Sequence, residues 1–239
     1  MIHKSSGHGH PLRGSRLLIT GAGSGIGCQM ALKAARRGAR EVILWDLWAD
    51  RADEVRVRSK PRAGAASVGA VDVSDSHAVA KAAETTCAFL PAMVARDSGV
   101  IVTVASAAGL VGVAKQTDYS ASKFAAVGFT ESLRSELRGA GSGVSTRLIN
   151  PYYIDTGMFA GVTTKFPRLL PILKETEVAH RILEAVESGK QQLNLPPLIR
   201  VLPGLRVLPV RAFDRIMDAL GVNRTMDAFT GRRSQFLQQ

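Results

Sequence analysis

Cysteine is scarce in this chain: Cys28 and Cys87 are the two among 239 residues. Two thiols make no disulfide framework and no CxxC metal spacing, so stapled and cysteine–zinc folds are excluded. The pair reads as reduced thiols of a cytosolic protein. Long apolar runs are missing too. No run of ~18 apolar residues occurs, so no membrane-spanning helix is expected. The N-terminal MIHKSSGHGHPLRG lacks the apolar h-region of a secretory signal. His3, His8 and His10 could ligate a metal, but ordered ligand partners are absent. They read as part of a flexible polar tail over residues 1–13, and no metal is expected. Acid is in deficit, 20 Asp and Glu against 31 Lys and Arg, a formal charge of +11. Such a surface attracts anions: nucleotide phosphates, nucleic acid or acidic lipid. With no zinc-finger spacing and no basic stripe interleaved with aromatics, nucleic acid is not an expected partner.

What is present is core-forming material, 46% of the chain being hydrophobic, in strands alternating with helices. RLLIT, EVILWD, SVGAVDV, GVIVTVAS and GVSTRLI read as strands. The stretches after Gly27, from Leu47 to Lys60, Ser74 to Arg96, Tyr119 to Arg138 and Glu175 to Ser188 read as helices. The alternation predicts a doubly wound parallel α/β sheet. No internal repeat or low-complexity segment interrupts it.

GAGSGIG lies between the first strand and the first helix, where a phosphate loop sits. Gly21 permits the turn, Gly25 removes a side chain where backbone approaches a pyrophosphate, and Gly27 lets the helix pack on the strand. The helix N-terminus then offers N–H groups to the phosphates. Asp46 ends the second strand, where a carboxylate can accept bonds from both adenosine ribose hydroxyls and repel a 2′-phosphate. NAD is therefore expected over NADP; the alternative is an exposed acid at a strand end. Asp72 ends the third strand near the expected adenine edge, or belongs to a helix cap.

TDYSASKF carries Tyr119 and Lys123, four apart and on one helix face. A neighbouring ammonium stabilises a phenolate and brings the phenol toward neutral pH as an acid–base group. Ser106 precedes them at the end of a strand, where its hydroxyl can hold a substrate oxygen. These motifs resemble the short-chain dehydrogenases/reductases. TGAGSGIG is similar to the family's TGxxxGxG loop, and VASAAG with YSASK to its Ser–Tyr–Lys site. LWDL, LPAM, SAAGLVGV, SASKFAAVGF and PYYIDTGMF resemble the branch of retinol dehydrogenases and lipid-associated hydroxysteroid dehydrogenases. The resemblance implies a Rossmann-type sheet and hydride transfer between NAD and a hydrophobic alcohol or carbonyl of the retinoid, steroid or long-chain type. It makes Tyr119 the general acid/base, with Lys123 and Ser106 as its helpers. It implies cofactor contacts at Thr20, Gly21, Gly23, Ser24, Gly25, Ile26, Gly27, Asp46, Asp72, Val73, Tyr119, Lys123, Ile154 and Thr156.

Against that family pattern, one central strand with its NNAG motif and part of the following helix are absent. The stretch from Asp72 to Ser106 would need about 70 to 75 positions to hold them, so about 40 are missing. The seam is expected near Glu84 to Cys87. The loss should leave two strand edges unpaired in the core, or slide the sheet halves together by ~4.8 Å. Two expectations follow: an active oxidoreductase, or a catalytically impaired, cofactor-binding variant that pairs with an intact relative. Residues 14–192 are expected to form the catalytic domain. Residues 193–239 form an apolar and basic extension, either a lid on the substrate cleft or a surface that touches lipid. A cytoplasmic protein, in homodimeric form or at the periphery of a membrane, completes the expectation.

Overall fold

The computed structural model describes residues 9–59, 65–70 and 88–231. Strand β1 (Arg16–Thr20) leads through the glycine loop into α1 (Gly25–Arg36), then β2 (Glu41–Asp46), α2 (Ala49–Ser59) and β3 (Ala65–Ala70). A helix over 88–95, α3, precedes β4 (Gly99–Val104). Next come α4 (Thr117–Gly139), β5 (Val144–Pro151), the short pair β6 (Ile154–Asp155) and β7 (Leu173–Lys174), α5 (Glu175–Ser188) and β8 (Gln192–Leu195). Two further helices, α6 (Leu202–Leu205) and α7 (Val210–Ala219), close the described chain.

The strands pair in parallel throughout, as the alternation of strands and helices requires. They form two three-stranded sheets, ordered β1-β2-β3 and β4-β5-β8. The expected single sheet is therefore divided. Among the described residues, β1 pairs only with β2, and β4 pairs only with β5. The halves still share a core: Val100 and Val102 of β4 pack against the cluster holding Ile19, Ala31 and Val42. Burial reflects the division. Every residue of β5 is buried, while β4 beyond Gly99 is only partly so and both ends of β1 are exposed. The expected seam near Glu84 to Cys87 lies outside the described residues.

Helix α5 joins the halves. Val178, Ile182, Leu183 and Val186 recur at helical spacing and are buried. Glu175 and Glu177 in its first turn complement the helix dipole. Gly189, at φ +79°, ends it in a left-handed residue, a conformation glycine adopts without steric cost. β8 was not foreseen as a strand; it carries the sheet past residue 192 to Leu195. Beneath it, buried Asn150 donates Nδ2–H to Asn194 Oδ1 at 2.9 Å.

The segment from Pro197 to residue 231 folds back over the carboxyl ends of β4 and β5. Ile199, Met217, Val222 and Met226 join the cluster built on Ala105, Leu148, Tyr152 and Tyr153. Among the described residues, no helix is long and apolar enough to cross a membrane.

Candidate active site

The turn after β1 is possible because Gly21 takes φ +64°. Gly27, in the first turn of α1, approaches so closely that a Cβ there would stand 2.1 Å from the Gly21 carbonyl oxygen. The structural demand on Gly27 is thus contact with the loop itself rather than with the strand. Ser24 caps α1 in extended conformation but makes no side-chain capping bond, and the first turn holds no acid. The N–H groups of that turn are left to an outside acceptor.

Asp46 is not an exposed strand-end acid. It is 8% exposed; Oδ2 accepts from Gly23 N–H at 2.7 Å and Oδ1 from Trp48 N–H at 3.1 Å. The carboxylate thereby clasps the glycine loop to the end of β2 while still facing the cavity.

That cavity encloses about 690 Å³ and runs from the glycine loop to the C-terminal segment. Gly21, Ser24, Gly25, Ile26, Gly27 and Asp46 line one end. Ser106, Tyr119, Lys123, Ile154 and Thr156 line it further along. Thr20 and Gly23 flank these lining residues in the chain, and Gly23 donates its N–H to Asp46. Asp72 and Val73 lie outside the described residues, as do His3 and His8. His10 is tied by its backbone N–H to the Val186 carbonyl at 3.0 Å.

Ser106 stands two residues beyond the end of β4. Its Oγ accepts from Ala108 N–H at 3.2 Å and donates to the Pro151 carbonyl at 3.4 Å. Burial pushes the Tyr119 phenol above its ordinary value, and a hydrogen bond with Ser106 opposes that push. Burial likewise lowers the Lys123 ammonium. Lys123 Nζ donates to the Val104 carbonyl at 3.1 Å and lies 5.6 Å from the Tyr119 ring centre. In the free protein desolvation raises the phenol in spite of its hydrogen bond with Ser106, and Lys123 uses one of its three N–H donors on the Val104 carbonyl.

A second set of polar groups escaped sequence reasoning. Gln116 Nε2 donates to Tyr153 Oη at 3.0 Å, and Tyr153 pairs with Thr225 at 2.8 Å. The rings of Tyr119 and Tyr153 both meet Phe159 edge-on, at 5.6 and 5.2 Å. The doubled tyrosine in PYYIDTGMF was a visible signal; nothing in the sequence marked Gln116 or Thr225 as its partners.

These residues suit a dinucleotide. An uncapped helix start free of acids receives phosphates, and a buried carboxylate with lone pairs to spare receives hydroxyls. Comparison with known proteins agrees. The sequence profile of the short chain dehydrogenases matches residues 15–87 and 82–166. Epidermal retinol dehydrogenase 2 of Mus musculus is 35% identical, with 93% of this chain and 87% of that protein aligned. Short-chain dehydrogenase/reductase 3 of Homo sapiens is 32% identical over 90% of this chain and 86% of its own. A crystal structure of a short chain dehydrogenase/reductase from Burkholderia phymatum in complex with NAD superposes with a TM-score of 0.67. It covers 83% of this chain and 94% of its own at 22% identity, a likeness of fold. With its parallel sheets, glycine loop and Ser–Tyr–Lys wall in one cavity, the chain belongs to the short-chain dehydrogenase/reductase family.

Proposed function

We propose that this protein transfers hydride between NAD and a hydrophobic alcohol or carbonyl compound of retinoid, steroid or long-chain type. The observation that carries the reading is that Ser106, Tyr119 and Lys123 line the same cavity as the glycine loop. When bound, the nicotinamide supplies or accepts hydride at the carbon bearing the oxygen. The N–H groups of Ser24, Gly25 and Ile26 hold the pyrophosphate, Asp46 the adenosine ribose, and Ile154 and Thr156 the nicotinamide. In the reducing direction Tyr119 gives its hydroxyl proton to the substrate oxygen; in the oxidising direction its phenolate takes one. Ser106 donates a hydrogen bond to that oxygen, and Lys123 stabilises the phenolate and holds the nicotinamide ribose. Preference for NAD over NADP rests on Asp46, whose carboxylate would repel a 2′-phosphate. The apolar far end, walled by Leu170, Leu202, Leu205 and Met217, supports a lipophilic substrate.

A second reading, a cofactor-binding protein of impaired turnover, is favoured by the divided sheet. Its supports are the single-sided pairing of β1 and of β4 among the described residues, and an aligned length of 271 positions against the mouse relative, longer than this chain's 239 residues. The two matched family segments also meet at residues 82–87, where the seam was expected. Catalysis is sensitive to displacement of ~1 Å, and a missing strand spacing exceeds that. NADH fluorescence titration with retinol turnover, before and after a family-like insert between Glu84 and Cys87, separates the two. Equal turnover in both proteins overturns the impaired reading; turnover only with the insert overturns the active one.

The C-terminal segment supports peripheral lipid contact. Val207 and Val210 are 86% and 74% exposed, with Arg200, Arg211 and Arg215 exposed beside them. Liposome flotation with and without residues 193–239 tests it, and equal flotation discards it.

A further inference from the structure

Thr225 follows the 3-10 turn Val222–Arg224, far along the chain from the Ser–Tyr–Lys wall, yet its hydroxyl lies 2.8 Å from Tyr153 Oη. With the Thr225 hydroxyl proton on the Val222 carbonyl at 2.9 Å, that hydroxyl accepts from Tyr153. Tyr153 in turn accepts from Gln116 Nε2 at 3.0 Å. The result is a hydrogen-bonded chain, a relay from Gln116 to Tyr153 to Thr225 to Val222, that uses both hydroxyl protons and one N–H of the Gln116 amide. All three side chains are buried, at 3%, 7% and 2% exposure.

The relay ties the C-terminal segment to the start of α4, the helix that carries Tyr119 and Lys123. Arg206 Nη1 also ties that segment to the Leu110 carbonyl at 3.1 Å from a half-buried position, while two further ties are wetter. Lys115 and Asp227 pair at 2.7 Å but are both more than half exposed, where solvent screens them. Lys165 reaches the Ala219 carbonyl from an exposed position. The segment also walls the apolar end of the cavity through Leu198, Val201, Leu202, Leu205, Met217 and Leu220. Tyr153 stands one ring from the reactive phenol, since Phe159 meets both tyrosines edge-on.

We propose that Gln116, Tyr153 and Thr225 are positioning residues that seat the C-terminal segment as the roof of the apolar end, and so determine how tightly a long apolar substrate is held. None of them exchanges a proton with substrate. The inference rests on the reading of that end as the substrate end.

Thr225→Val and Tyr153→Phe each delete one hydroxyl of the relay while keeping shape. All-trans-retinol fluorescence probes the apolar end, NADH fluorescence the glycine-loop end, and trypsin the seating of a segment whose exposed sites include Arg200 and Arg211. Both variants are expected to weaken retinol binding about tenfold and to speed cleavage by a similar factor, the scale of one buried hydrogen bond. NADH affinity should hold within about twofold, and Thr225→Ser should restore both properties. Unchanged retinol binding and unchanged cleavage in both variants would overturn the proposal. So would a parallel loss of NADH affinity, which marks general destabilisation. If the wild type binds no retinol, the substrate class fails by itself, and the cleavage comparison alone decides the relay.

Discussion

At the scale of single residues, burial governs the chemistry. Tyr119 and Lys123 are desolvated together, which favours the neutral form of each: the phenol rises and the ammonium falls. The free protein therefore holds Tyr119 protonated at neutral pH, the form that gives a proton to a carbonyl. A tyrosinate difference titration of wild type against Tyr119→Phe should find this phenol ionising above the ordinary value of about 10. Ionisation below that value would contradict the description. Asp46 is the second such residue. Asp46→Ala strips the acceptor from two backbone N–H groups, Gly23 and Trp48. Thermal unfolding should report a loss of about 1–3 kcal/mol, and NADH titration a clearly weaker affinity. An unchanged melting temperature would show that the clasp contributes nothing. Residue types and spacing made Ser106, Tyr119, Lys123 and Asp46 legible in the sequence. They did not disclose that Asp46 holds the loop through the Gly23 N–H, because that depends on how the loop packs.

At the scale of elements, the glycine loop and the strand edges carry the account. Gly27→Ala would drive a Cβ into the Gly21 carbonyl at 2.1 Å, so the loop must move. The expected result is a lower melting temperature and a loss of NADH affinity of at least about tenfold; normal affinity would remove the loop from the binding site. Strand edges differ in a measurable way. β5 is paired on both sides and wholly buried, whereas β1 and β4 each have one paired side among the described residues. Hydrogen exchange should be slowest in β5 and faster in β1 and β4. Equal protection would mean that the two edges are covered. Helices α4 and α5 were readable from their apolar spacing and occur within two residues of expectation. β8 was not readable: QLNL is short and carries two amides, and the buried Asn194 is accounted for by the amide bonds it accepts from Asn150 and Gln192.

At the scale of the whole molecule, two half-sheets share one core and one cavity, roofed by the C-terminal segment. The parallel α/β class is legible from alternation alone, while the division of the sheet is not, because the chain between β3 and α3 lies outside the described residues. The path of the C-terminal segment over the cavity could not be read, since its prolines and scattered apolar residues fit a lid and a lipid-facing surface equally. The central claim is that one cavity brings a dinucleotide and an apolar alcohol to Tyr119. Its most direct test is NAD-dependent retinol oxidation by wild type and Tyr119→Phe, with NADH affinity measured on the same samples. The account predicts turnover by the wild type, a fall of about 10²–10⁴ in kcat for the variant, and equal NADH affinity. Equal turnover in both proteins, or a wild type that binds NADH and turns over no alcohol, would contradict it.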